Sequence, residues 1–380
     1  MGQLQPTPFT IEVPDDTLAD LKERLARTRW PDEVSGAGWD YGTNLAYLRE
    51  LCAYWRDGFD WRAQERALNQ LPQFRATVDG LGIHFVHVRG RGAHPFPLLV
   101  THGWPSSFVE FRKLVPLLTD PAAHGGSQAD AFDLVIPSLP GFGFSDTPRA
   151  RYAYRRVPEL WVQLMRGLGY ERFGAHGGDL GGGVTARLGQ RHPDAVAGIH
   201  VTNVYGSIRA GDPPATPAER AYLDQQVRWD QEEGAYGAIQ ATRPQTLAVG
   251  LNDSPAGLAA WIVEKYRAWS DCDGDVERVV GKDELLTNLT IYWVTGTIAS
   301  SFLPYWDTRN DPEPRPWLPI GVPCGIAIFP KDLDAPPREF AERSYNVRRW
   351  TQMARGGHFA ALEQPRLLAA DIQEFFRDLR

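Results

Sequence analysis

The chain has 380 residues, 43% hydrophobic and 23% charged, with a formal net charge of −7. Those proportions belong to a soluble globular protein, large enough for one big domain with insertions or for two closely fused units. The acidic balance argues against a general binder of nucleic acid or anionic lipid. Cys52, Cys272 and Cys324 are scattered and contain no CxxC, which argues against a disulfide framework or a structural zinc site.

The opening MGQLQPTPFT is neither basic nor followed by an apolar core, so no signal peptide is expected. Pro6 stands where a myristoylation signal needs Ser or Thr. No stretch approaches the roughly 20 apolar residues of a membrane helix, so a soluble, cytoplasmic chain without a membrane anchor is expected.

Residues 15–30 predict a helix, with Leu18, Leu21 and Leu25 on one face and Asp15 or Asp16 at its start. A second helix is expected near 43–56, with Leu45, Leu48, Leu51 and Trp55 in one stripe, and a third over 60–69. All three are amphipathic and must lie against a larger body. Residues 74–78 and 83–88 read as strands joined by the turn signal DGLG. Four apolar runs follow: PLLVTHGWP, FDLVIPSLPGFGFSD, RFGAHGGDLGGG and AGIHVTN at 197–203. They alternate with helical stretches, which predicts a parallel sheet with crossover helices. Residues 206–318 are helical in pattern and rich in tryptophan. Sheet-like runs return at 324–330 and 348–353, and a last helix starts near Pro365.

AHGGDLGGG, at 175–183, leads from an apolar run straight into a helical pattern. A phosphate cradle fails here: no Gly-Lys-Ser/Thr follows, the spacing is not GxGxxG, and Asp179 would repel phosphate. The sequence fits a nucleophile elbow better, a sharp strand-to-helix turn with small residues on both sides of a displayed nucleophile. Gly177 and Gly181 are the small positions and Asp179 the nucleophile; the competing reading is a glycine turn whose Asp only caps the helix. Three features favour the elbow. THGWPSS follows a strand and can offer the Trp104 N–H beside that of Leu180 as an oxyanion hole. RGGHFAALEQP places His358 after the last strand. FPKDLD places Asp332 after another. The order Asp179, Asp332, His358 is that of an α/β-hydrolase triad.

An aspartate nucleophile selects its electrophile. A serine attacking saturated carbon leaves an ether, which water does not readily cleave. A carboxylate is already ionised at neutral pH and leaves an ester, whose carbonyl water can attack. The expected chemistry is displacement at saturated carbon, then ester hydrolysis by water that His358, oriented by Asp332, activates. Epoxides and alkyl halides both qualify. Leu180, beside the nucleophile, has no side-chain donor for a halide, which counts against a dehalogenase.

The chain resembles the microsomal-type epoxide hydrolases over nearly its whole length. The resemblance rests on PFTIEVPDDTLADLKERLARTRWPDE, HGWPSSFVEF, IPSLPGFGFSD, HGGDLG, LNDSPAGLAAWIVEK, LLTNLTIYWVTGTIASS and RGGHFAALEQP. It implies an α/β-hydrolase fold: a mostly parallel sheet with helices on both faces, a helical cap and an N-terminal extension wrapping the core. The expected divisions are 1–95 for the extension and first strands, 96–205 and 319–380 for the core, and 206–318 for the cap. It implies two tyrosines that polarise the epoxide, Tyr236 in EEGAYGAIQATRP and Tyr305 in FLPYW. Many members have Trp after the nucleophile, where this chain has Leu180. No cofactor or metal is expected. The expected partner is a small epoxide, apolar or aromatic, with no nucleic acid; a homodimer is left open. The rivals are a haloalkane dehalogenase and a relative that binds ligand without chemistry.

Other sites have plainer readings. DCDGD at 271–275 lacks the glycine of a calcium loop at the proper place, and Lys282 stands where its glutamate should, so a solvated acidic loop is expected. His84 and His87 point to opposite faces of one strand. Asp133 and Asp146 are expected to be structural, and His102 and His176 to hold loops.

Overall fold

The computed structural model describes residues 4–151, 153–206, 213–312, 317–333 and 335–380. Its centre is one nine-stranded sheet. The strands are β1 (Thr7–Pro8), β2 (Gln73–Val78), β3 (Leu81–Val88), β4 (Phe96–Thr101), β5 (Phe132–Pro137), β6 (Phe173–Gly177), β7 (Val196–Val201), β8 (Ile320–Ile328) and β9 (Tyr345–Gln352). Their spatial order is β1-β2-β3-β5-β4-β6-β7-β8-β9. The β1–β2, β2–β3 and β3–β5 pairs are antiparallel, and every pair from β5 to β9 is parallel.

Every residue of β5 and β7 is buried. That is why these strands read as unbroken apolar runs: a parallel strand is covered on both faces. The glycines show which layer covers which face. A Cβ added to Gly174 would stand 2.5 Å from Phe376 of the helix Pro365–Phe376, whereas one on Gly177 would stand 2.4 Å from the carbonyl of Gly181 in the helix Asp179–Arg191. Positions three apart on a strand point to opposite faces. The two helices therefore sandwich the sheet.

Between β7 and β8 the described residues form six α-helices and no strand. The N-terminal helices Asp15–Ala26, Leu45–Asp57 and Trp61–Leu68 lie against this helical segment. The buried Trp55 indole donates to Thr290 Oγ1 at 2.9 Å, and Thr43 Oγ1 donates to the Ala260 carbonyl at 2.7 Å. Phe9 packs edge-on against His84 at the sheet. The N-terminal segment thus touches the helical insertion as well as the sheet, a partner that its periodicity alone does not name.

Candidate active site

The parallel strands end along one edge, and the candidate residues follow those ends: Trp104 after β4, Asp179 after β6, Asp332 after β8 and His358 after β9. Asp179 has φ +49°, in the left-handed region that side chains rarely adopt. The turn is forced by close approach. A Cβ on Gly181 would lie 1.9 Å from the Thr101 carbonyl, and one on Gly103 would lie 2.4 Å from Asp179 Cβ. Any side chain at either position would push the elbow off the sheet.

The Trp104 N–H donates to Asp179 Oδ1 at 2.7 Å, and the Leu180 N–H also bonds the carboxylate. Both backbone donors named from the sequence therefore face Asp179. His358 Nε2 stands 3.8 Å from Asp179 Oδ2, and His358 Nδ1 is 2.7 Å from Asp332 Oδ1. The first separation is too long for a hydrogen bond; the second is a short one.

Burial alone would lower the His358 pKa, but Asp332, Asp179 and Glu110 together carry it up to about 9. Burial raises Asp179, which His358 and the two backbone N–H groups partly offset. The site thus holds an imidazolium flanked by carboxylates. Removing the Asp179 charge takes away part of what keeps His358 protonated.

Tyr236 stacks on the Trp104 ring, with centroids 5.1 Å apart, and Tyr305 meets the same ring edge-on at 6.1 Å. The two tyrosine rings are 6.0 Å apart. Burial first, then nearby negative charge, pushes both phenols upward, so they remain protonated donors. The Tyr305 hydroxyl is buried, and it and the Tyr236 hydroxyl act on each other. A cavity of about 450 Å³ reaches from Asp179 and Leu180 past Val184 to Tyr305 and Trp317. Tyr236 is not part of its lining. A second cavity, of about 20 Å³, lies against Asp179, Trp104, Ser106, Glu110 and His358.

Three contributors escaped the reading of the sequence. Asn203, just past β7, accepts the Asp179 N–H through Oδ1 at 2.8 Å and donates through Nδ2 to Asp332 Oδ2 at 3.1 Å. It ties the elbow to the acid; its only sequence signal was a polar residue at a strand end. Glu110 sits one turn beyond the Trp104 loop, and its carboxyl is pushed up to about 7 by burial, against the pull of His358. Asp271 belongs to the loop expected to be solvated. Asp273 and Asp275 are indeed exposed, but Asp271 Oδ2 accepts the Gly356 N–H at 2.8 Å. With Glu363, which accepts from Gly357 and Phe359, and the Trp269 carbonyl, which accepts from His358 N–H, it fixes the histidine loop. That correction follows from distance: residues 85 apart in the chain meet only in the fold.

The plainer readings agree with the geometry. His84 bonds Ser138 and Gln73, and His87 bonds the Tyr170 hydroxyl. Asp133 accepts from Arg89 and Tyr170, while Asp146 pairs with Arg75. His102 Nε2 accepts the Leu139 N–H. His176 pairs with His200, which bonds Asp371. Among the described residues no group of three or more His, Cys, Asp and Glu is arranged to hold a metal. None of their helices is long and apolar enough to cross a membrane.

A mostly parallel sheet with an elbow at one strand end and a histidine after the last strand defines an α/β-hydrolase. Residues 6–111 match the family model for the epoxide hydrolase N terminus, and residues 97–269 match the alpha/beta hydrolase fold. A Stigmatella aurantiaca protein, provisionally described as an epoxide hydrolase, is 45% identical, covering 98% of this chain and 85% of its own. Epoxide hydrolase 1 of Sus scrofa is 36% identical, covering 97% of this chain and 88% of its own. The crystal structure of juvenile hormone epoxide hydrolase from Bombyx mori superposes with a TM-score of 0.90 at 30% identity, covering 99% of this chain and 95% of that one. The chain belongs to the epoxide hydrolase family, and its reaction is the hydrolysis of an epoxide to a diol through a covalent ester.

Proposed function

We propose that Asp179 is the nucleophile of this reaction, His358 the base, Asp332 its orienting acid, and Tyr236 and Tyr305 the donors to the opening ring. The observation that carries this reading is the position of Asp179 between two cavities. One is wide and reaches Tyr305; the other is small and reaches His358. Oδ1 is engaged by the Trp104 N–H, so Oδ2 attacks. A bond forms from Oδ2 to a ring carbon, the carbon–oxygen bond of the epoxide breaks, and the new alkoxide takes a phenolic proton. The ester carries no charge, so His358 loses part of what held its proton; that proton passes through solvent to restore the phenol, and His358 becomes a base. It takes a proton from water, and the oxygen of that water attacks Cγ of the ester. The resulting oxyanion at Oδ1 rests on the Trp104 and Leu180 N–H groups. Collapse breaks the Cγ–Oδ2 bond, and the leaving oxygen takes the proton of the new carboxyl, which releases the diol with Oδ2 in it and restores the Asp179 carboxylate beside protonated His358.

Residues 206–318 serve in this proposal as the cap, residues 1–95 as the extension, and 96–205 with 319–380 as the core. The apolar wall of Leu180 and Val184 and the Trp317 ring supports an apolar or aromatic epoxide. A cytoplasmic location and a homodimer remain parts of the proposal, for fractionation and sedimentation to test. The chemistry is tested by one turnover in heavy-oxygen water with enzyme in excess. The first diol should carry an unlabelled oxygen from Asp179, and later turnovers the heavy one. A first diol already labelled at the new hydroxyl removes Asp179 from the nucleophile's role.

A further inference from the structure

The mechanism leaves unused one partly buried acid that faces His358 and Asp179. Glu110 lies in the short helical turn Phe108–Phe111, which buries both phenylalanines. Ser107, just before the turn, bonds Asn288 through its hydroxyl at 2.9 Å. That anchoring holds Glu110 against the small cavity, which its side chain shares with His358, Asp179 and Ser106. No lysine or arginine bridges to it among the described residues, and partial burial works against its charged form. The charged and titratable groups that act on it are His358, Asp179 and Glu363, with Tyr266 close enough to feel its charge. Ser106 Oγ, in the same wall, is buried and bears on both the Glu110 carboxyl and the Tyr266 hydroxyl.

The size of this cavity matters. At about 20 Å³ it exceeds the roughly 10–15 Å³ that one water needs, and it is too small for an organic substrate. Its polar wall offers the two to four partners that a buried water requires. The 3.8 Å gap between His358 Nε2 and Asp179 Oδ2 opens on the same wall.

We propose that Glu110, with Ser106, holds the hydrolytic water in this cavity between His358 and the Asp179 ester, and so acts in the second half of the reaction only. The proposal rests on the mechanism above. Glu110 accepts one proton of the water in a hydrogen bond and His358 takes the other, which leaves an oxygen lone pair aimed at Cγ. The epoxide arrives through the wide cavity, which Glu110 does not line, so formation of the ester does not depend on it.

The test separates the two steps in the full-length enzyme, with styrene oxide as the probe. Rapid quenching followed by intact-protein mass measurement gives the rate at which the adduct forms and the rate at which it disappears. In Glu110→Leu, the adduct should form within about threefold of the wild-type rate and disappear at least about thirtyfold more slowly, since a misplaced water costs one to two powers of ten. Glu110→Gln keeps an acceptor oxygen and should recover most of that loss. If the leucine variant melts out of the folded state, the glutamine variant carries the test, with hydrolysis alone slowed about three- to tenfold. Equal losses in both steps, or none in either, overturn the role of Glu110. Absence of any adduct in wild type during turnover instead overturns the covalent mechanism itself.

Discussion

At the scale of single residues, the proposed triad could be read because Asp179, Asp332 and His358 each follow a strand and their order matches a known constellation. Asn203 was not legible, although it bonds both Asp179 and Asp332. A buried asparagine has the same sequence signature whether it caps a loop or joins two acids of a proposed triad. Its amide is arranged for both bonds at once, and Asn203→Ala leaves a buried N–H and one carboxylate oxygen short of a partner. The expected outcome is a fall in kcat of about tenfold or more, from loss of about 1–3 kcal/mol of positioning, with KM changed far less. Steady-state kinetics checks it; a variant that alters only KM contradicts it.

Among elements, the helices and strands were largely foreseen from periodicity, but their partners were not. The stripe of Leu48, Leu51 and Trp55 announces a buried face without naming its cover. The fold brings Thr290 to the Trp55 indole, 235 residues along the chain. Thr290→Val keeps the volume and removes the acceptor, so the indole N–H stays buried and unpaired. Stability should fall by about 1–3 kcal/mol, read as a lower melting temperature, with turnover of a saturating epoxide unchanged. An unaltered melt would mean that this contact does not hold the N-terminal helices to the insertion. The same difference of scale applies to DCDGD: composition predicts a solvated loop, yet the turn directs Asp271 inward to Gly356. Local sequence describes the acidity of a loop, not which of its acids a distant backbone will meet.

For the whole molecule, the charge arrangement links stability to pH. His358 is raised from 6.5 to about 9, chiefly by Asp332 acting against burial. A histidine raised in the folded state contributes stability that is fully present below the unfolded pKa and lost as pH climbs through the folded one. The melting temperature of wild type should therefore exceed that of His358→Gln most at and below pH 6.5, and the difference should shrink by about pH 9. A difference independent of pH would show that His358 is not charged in the folded protein.

The sequence by itself determined the α/β-hydrolase class, the sharp turn at Asp179 and the chain order of the proposed triad. These depend on local chemistry: glycines where backbones touch, an acid at a strained turn, apolar runs at strand length. Aspartate in place of serine also pointed to the reaction type, because in the proposed mechanism the nucleophile dictates which bond water can later break. Only the tertiary structure decided the two cavities on either side of Asp179, the Asn203 link, the inward turn of Asp271 and the setting of Glu110. Those features join residues tens to hundreds of positions apart, and their burial, which sets their charge, exists only once the chain has folded around them.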